Sequence, residues 1–93
     1  MTNLPTISNY GNYSSDNHGA HTLRVDFEMF TLYYSYETIV AYYDHEDKLV
    51  VSQNVWGTTT GKHLNWIESD KKIRVKHDDF VKKLAAMLER RTK

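Results

Sequence analysis

The residue types that could do chemistry are concentrated in a few short strings. Gly57-Thr58-Thr59-Thr60-Gly61-Lys62-His63 sets a glycine-flanked loop ahead of a lysine, the order in which a phosphate-binding loop cradles a nucleotide at a helix start. The spacing departs from that loop at two points: three residues separate the glycines where four are needed, and His63 stands where a Ser or Thr would hold magnesium. Helix capping by the threonines accounts for the string, so neither binding nor hydrolysis of a nucleoside triphosphate is expected. Binding of a simple anion at this helix start stays open.

Asp44-His45-Glu46-Asp47 packs three carboxylates and an imidazole into four residues. A calcium loop spreads its oxygens over about twelve residues so that the chain can wrap the ion, whereas consecutive side chains in a tight turn diverge. A solvated polar turn is the expectation. The histidines at 18, 21, 45, 63 and 77 have no paired helical spacing, and the chain has no cysteine, so no metal site, cofactor or catalytic residue is assigned.

Tyrosine carries more information. Tyr33, Tyr34, Tyr36, Tyr42 and Tyr43 fall in adjacent strand-like stretches, and alternation must send some of them outward. A base-stacking platform would want basic residues between the rings, yet none lies between Phe30 and Asp47, where Glu37, Asp44, Glu46 and Asp47 are acidic. A protein-binding face fits better. The expected partner-binding set is Glu37, Tyr42, Tyr43, Asp44, Glu46 and Asp47, an acidic aromatic surface able to mimic nucleic acid toward a basic groove.

The elements that must position these groups follow from periodicity. Met1 to Gly19 has no apolar period and reads as an irregular arm over residues 1–19, leaving one domain over 20–93. Leu23, Val25 and Phe27 alternate with polar residues, and Phe30, Leu32, Tyr34 and Tyr36 line one side of the next stretch, giving a hairpin turned near Glu28. Thr38–Tyr43 and Lys48–Gln53 add two strands around the Asp44–Asp47 turn. A short helix is expected over Lys62–Ile67, entered through Gly57–Gly61, and Lys71–Val75 reads as either a short strand or an extended link. From Asp78-Asp79 onward, Phe80, Val81, Leu84, Ala85, Met87 and Leu88 recur at helical spacing, with Lys82, Lys83, Glu89 and Arg90 opposite. The fold class is therefore α+β: an antiparallel meander of about four strands covered by a C-terminal helix, with a short helix after strand four.

With 93 residues, 40% of them hydrophobic, the chain suits one core. Its 12 basic and 12 acidic side chains cancel in total but not along the chain. Residues 1–70 carry 3 basic against 9 acidic groups, and residues 71–93 carry 9 against 3. Such a split orients the protein toward charged partners without the general polyanion affinity of a high pI. No apolar run approaches the roughly 18 residues of a membrane span, and the start lacks the features of a signal peptide. A cytoplasmic protein with no membrane partner is expected.

Two strings are recognisable together. Asn12-Tyr13-Ser14-Ser15-Asp16-Asn17-His18-Gly19-Ala20-His21 and Asn54-Val55-Trp56-Gly57-Thr58-Thr59-Thr60-Gly61-Lys62-His63-Leu64-Asn65, with Tyr34-Ser35-Tyr36 and Val40-Ala41 between them, resemble a small family of uncharacterised phage and plasmid proteins. Its members pair an NYSSxNxGAH start with a WGxTTGKHLN segment. The resemblance spans about residues 10–91 and implies a mobile-element origin. For a small chain of this kind it implies stoichiometric action on a host protein, inhibition of a CRISPR or other defence complex included. The alternative is a small nucleic-acid-binding module using the basic C-terminal segment. The two polar strings, Asn12–His21 and Trp56–Asn65, are expected to lie against each other.

Overall fold

The computed structural model describes residues 4–11 and 21–92. Five strands form one antiparallel meander in chain order: β1 (Thr6–Asn9), β2 (Leu23–Asp26), β3 (Phe30–Ser35), β4 (Thr38–Asp44) and β5 (Leu49–Val51). Two helices follow, α1 (Thr58–Ile67) and α2 (His77–Arg91), with a 3-10 turn at Lys71–Ile73 between them. The α+β meander with a C-terminal helix and a shorter helix before it matches the periodicity.

β1 is the addition. It lies in the stretch read as irregular, and it left no periodic signal because all four of its residues are exposed. Pairing with β2, from Thr6 opposite Asp26 to Asn9 opposite Leu23, is what holds it.

The sheet is covered on both faces, not one. On the first face Phe30, Leu32, Tyr42 and Val50 pack with Phe80 and Met87 of α2. The helix stripe is narrower than its sequence suggests: Leu84 and Leu88 join the cluster, while Val81 and Ala85 are exposed. On the second face Val40, Ala41 and Val51 pack with Leu64 of α1, flanked by Tyr33, Leu49 and Ile67. Thr60, His63, Leu64 and Ile67 recur at the spacing of one helical stripe.

A bulge sets which residues face α1. Tyr33 pairs with Ala41 and Tyr34 with Ile39, leaving Val40 as an extra residue on β4. Val40 and Ala41 consequently both enter the α1 cluster, while Tyr34 and Ile39 return to the α2 side.

The threonine caps expected for α1 are not there. Thr58, Thr59 and Thr60 are its first turn, and no side chain caps it at Gly57. The entry is built by Asn54 instead: its Oδ1 accepts from the N–H groups of Trp56 (2.9 Å) and Gly57 (3.2 Å), and its Nδ2 donates to the Gly57 carbonyl (2.8 Å). Gly57 has φ +155°, a region that side chains rarely enter. Gly61 is packed closely, since a Cβ there would sit 3.0 Å from Asn54 Nδ2 and press on it.

Lys71–Val75 is neither a strand nor a plain link. After the 3-10 turn, Val75 makes a single parallel bridge to Ser52, with Val75 N–H donating to Val51 O (2.9 Å) and Gln53 N–H to Val75 O (2.7 Å).

Candidate functional site

The six residues expected to form a partner surface are not brought together. Glu37 lies in the β3–β4 turn and Glu46 and Asp47 in the β4–β5 turn, at opposite ends of a seven-residue strand spanning about 20 Å. Tyr42 is a core residue, 5% exposed, with its ring centroid 5.9 Å from that of Phe80. Burial pushes its phenol pKa up. Asp44 is also buried, under the end of α2: Arg91 Nη2 lies 2.8 Å from its Oδ1 and Arg90 Nη2 3.2 Å from its Oδ2. Burial alone would raise the Asp44 carboxyl. Hydrogen bonds from Arg91, the Glu46 N–H and Arg90 outweigh it and hold the group below the usual carboxylate range. Arg91 Nη1 also reaches Glu46 Oε2 at 3.1 Å. The charge split along the chain thus closes on itself, the basic helix end neutralising the acidic turn. Glu37, Tyr43, Glu46 and Asp47 remain at the surface.

Two clusters replace the expected set. The first is the half of the second face that α1 does not cover, where Thr31 is buried and, among the described residues, Tyr10 stands edge-on to Tyr33 at 5.6 Å. The register places Arg24 opposite Tyr33, Asp26 opposite Thr31, and Thr31 opposite Tyr43, so these side chains share one face. Arg24 Nε donates to both oxygens of Asp26 (3.0 and 3.1 Å), and its guanidinium carbon lies 5.6 Å from the Tyr33 ring centroid. Thr31 Oγ1 donates to Asp26 Oδ1 (2.7 Å) and lies within hydrogen-bond distance of His45 Nε2 (2.9 Å). Burial opposes the Asp26 charge, and the bonds from Arg24 and Thr31 outweigh it and lower its pKa. The Tyr43 ring stands edge-on to His45 at 5.2 Å and is 39% exposed. This is an aromatic and polar surface with its charges internally paired. Sequence reasoning found Tyr43 and missed Arg24, whose place beside Tyr33 follows from strand register rather than local spacing.

The second cluster joins three strings singled out in the sequence. Ser35 Oγ lies 2.6 Å from His63 Nδ1 and 3.0 Å from Thr60 Oγ1, all three groups being buried. Tyr36, in the β3–β4 turn at φ +57°, places its ring 4.5 Å from His21 and 5.7 Å from His63. A bulky residue in that conformation costs about 1–2 kcal/mol, which the ring contacts offset. Of the string Asn12–His21, expected to lie against Trp56–Asn65, only His21 is described, and it is linked to His63 through the Tyr36 ring; residues 12–20 lie outside the described residues. Burial, and secondly the nearby His21, lowers the pKa of His63.

The Ser35–His63 distance is that of a nucleophile and its base. The adjoining cavity, bounded by Ser35, Tyr36, Thr38, Val40, Trp56 and Thr60, has a volume of about 110 Å³, well below the roughly 300 Å³ at which ligand pockets begin. The hydrogen bonds of Ser35 to Thr60 and His63 join the end of β3 to α1. Among the described residues no group of three or more His, Asp or Glu side chains is gathered in a way that could hold a metal ion, and no helix is long and apolar enough to cross a membrane.

Comparison with protein families gives one match, over residues 3–82, to DUF8033, a family of unknown function. The chain belongs to DUF8033. The matched span takes in every strand, α1 and the start of α2. It therefore includes both clusters of this DUF8033 chain, whereas Arg90 and Arg91 lie beyond it. No curated protein and no solved structure matches the chain.

Proposed function

We propose that this protein is a mobile-element accessory protein that acts stoichiometrically, by binding a protein of its host through the half of the second sheet face that α1 does not cover. Components of CRISPR and other defence complexes are the partners in view. The observation that carries the reading is the exposure of Tyr43 on that half of the face, which also carries Tyr33 with Arg24 over its ring. Tyrosine and arginine are the residue types that dominate protein interfaces, because each offers a large, stiff contact area with a polar handle. The sheet holds them on a rigid, hydrogen-bonded frame, so little ordering cost is left for binding.

The reading differs from the acidic mimic expected at first. Asp44 is neutralised by Arg90 and Arg91, so contact area and shape, more than negative charge, recommend this surface. The same ion pairs weaken the nucleic-acid alternative, since they occupy the two arginines at the end of the basic segment.

The test is affinity capture from host lysate with the wild-type protein, a Tyr43→Ala/Arg24→Glu variant and a Lys82→Glu/Lys83→Glu variant, each checked for folding by circular dichroism. Loss of a specific stoichiometric partner only in the first variant supports the reading. Loss only in the α2 variant discards it in favour of the basic segment.

A further inference from the structure

The side of α1 turned away from the sheet carries Thr58, Lys62 and Asn65 at successive turns. With Asn54, Lys71 and Arg74 they enclose an open pocket of about 400 Å³. No acidic side chain lines it. Arg74 is the informative member. It is 9% exposed, and among the described residues it makes no ion pair. Its Nη2 donates to Asn65 Oδ1 (2.9 Å) and to the Glu68 carbonyl (3.1 Å), while its buried Nε has no hydrogen-bond partner among the described residues.

A guanidinium out of water with only neutral acceptors is expensive to maintain. The cost is relieved if an anion sits in the pocket beside it, where Lys62 and Lys71 add two further positive charges. Gly61 and Asn54 also line the pocket, and Asn54 is fixed there by three hydrogen bonds to the backbone of Trp56 and Gly57.

We infer that the pocket between α1 and the 3-10 turn binds a phosphate group, as free phosphate or as the phosphomonoester of a small molecule, with Arg74, Lys62 and Lys71 as its cationic ligands. The inference is independent of the protein-binding face, which uses other residues. It is also distinct from a nucleotide-hydrolysing loop, because the groups come from the helix flank and the 3-10 turn and no residue here is placed to hold magnesium.

Amide and guanidinium NMR spectra recorded during titration with inorganic phosphate, and separately with glycerol 3-phosphate, at ionic strength balanced by chloride, test it. Saturable shifts confined to Gly61, Lys62, Asn65 and the Arg74 Nε–H are expected. Tighter binding of glycerol 3-phosphate identifies a carried phosphate, and equal or weaker binding identifies the free ion. A Lys62→Glu/Lys71→Glu variant, changed only at exposed positions, should keep the folded spectrum and bind about tenfold more weakly or worse. Arg74→Gln should do the same where it folds; where it does not, the double reversal decides. Shifts that chloride alone reproduces, or saturable binding that the double reversal leaves unchanged, would overturn the inference. So would binding here of a single-stranded oligonucleotide when neither small phosphate binds.

Discussion

Removal of one hydroxyl, in Ser35→Ala, probes how α1 is held to the sheet. Ser35 Oγ is shared by His63 Nδ1 at 2.6 Å and Thr60 Oγ1 at 3.0 Å, and all three residues are buried. Alanine fills nearly the same volume, so the packing change is small and the loss is that of two hydrogen bonds. Each buried polar group left without its partner costs about 1–3 kcal/mol. Thr60, at 8% exposure the least buried of the three, can turn toward water and recover part of its share. The expected destabilisation is therefore about 2–3 kcal/mol, which for a domain of this size lowers Tm by about 8–24 °C. Urea and thermal unfolding monitored by circular dichroism measure both quantities. A loss below about 0.5 kcal/mol, the range of ordinary surface substitutions, would refute the reasoning, because it would mean that water already serves His63 and Thr60.

Other outcomes follow from the same geometry. Folded His63 takes up a proton less readily than the unfolded chain does near its ordinary value of about 6.5. Stability should therefore be full above that pH and decline as pH falls through it, a slope that His63→Gln removes in urea melts at stepped pH. Tyr42→Ala should cost about 3–5 kcal/mol, as for a large aromatic removed from a core, whereas Tyr43→Ala should stay within about 0.5 kcal/mol; similar losses from the two would contradict the placement of β4. Arg91→Glu, which sets a carboxylate against Asp44 and Glu46, should lower Tm more at low than at high salt, and a salt-independent effect would deny the ion pairs.

How legible this was in the sequence depended on whether a residue's surroundings were local. The β2–β3 hairpin and the α2 stripe announced themselves because alternation and helical spacing act within a few residues. Tyr42 and Tyr43 could not be assigned to faces, since the extra residue at Val40 shifts the phase of β4 and leaves no local mark. Asp44 looked like part of a solvated turn because its partners, Arg90 and Arg91, lie 46 and 47 residues away. β1 was invisible for the opposite reason: it buries nothing, so no pattern of side chains records its pairing. The link from His21 to His63 through Tyr36 was not legible, because it depends on the turn that places Tyr36 between them.

The proposed interaction through the second sheet face is tested most directly by placing a photo-crosslinking phenylalanine analogue at position 43, with position 82 of α2 as the control, and irradiating cells in which the protein performs its role. A single covalent adduct with a host protein from position 43 and none from position 82 is the result predicted. An adduct only from position 82, or a crosslink from position 43 to nucleic acid, would contradict it.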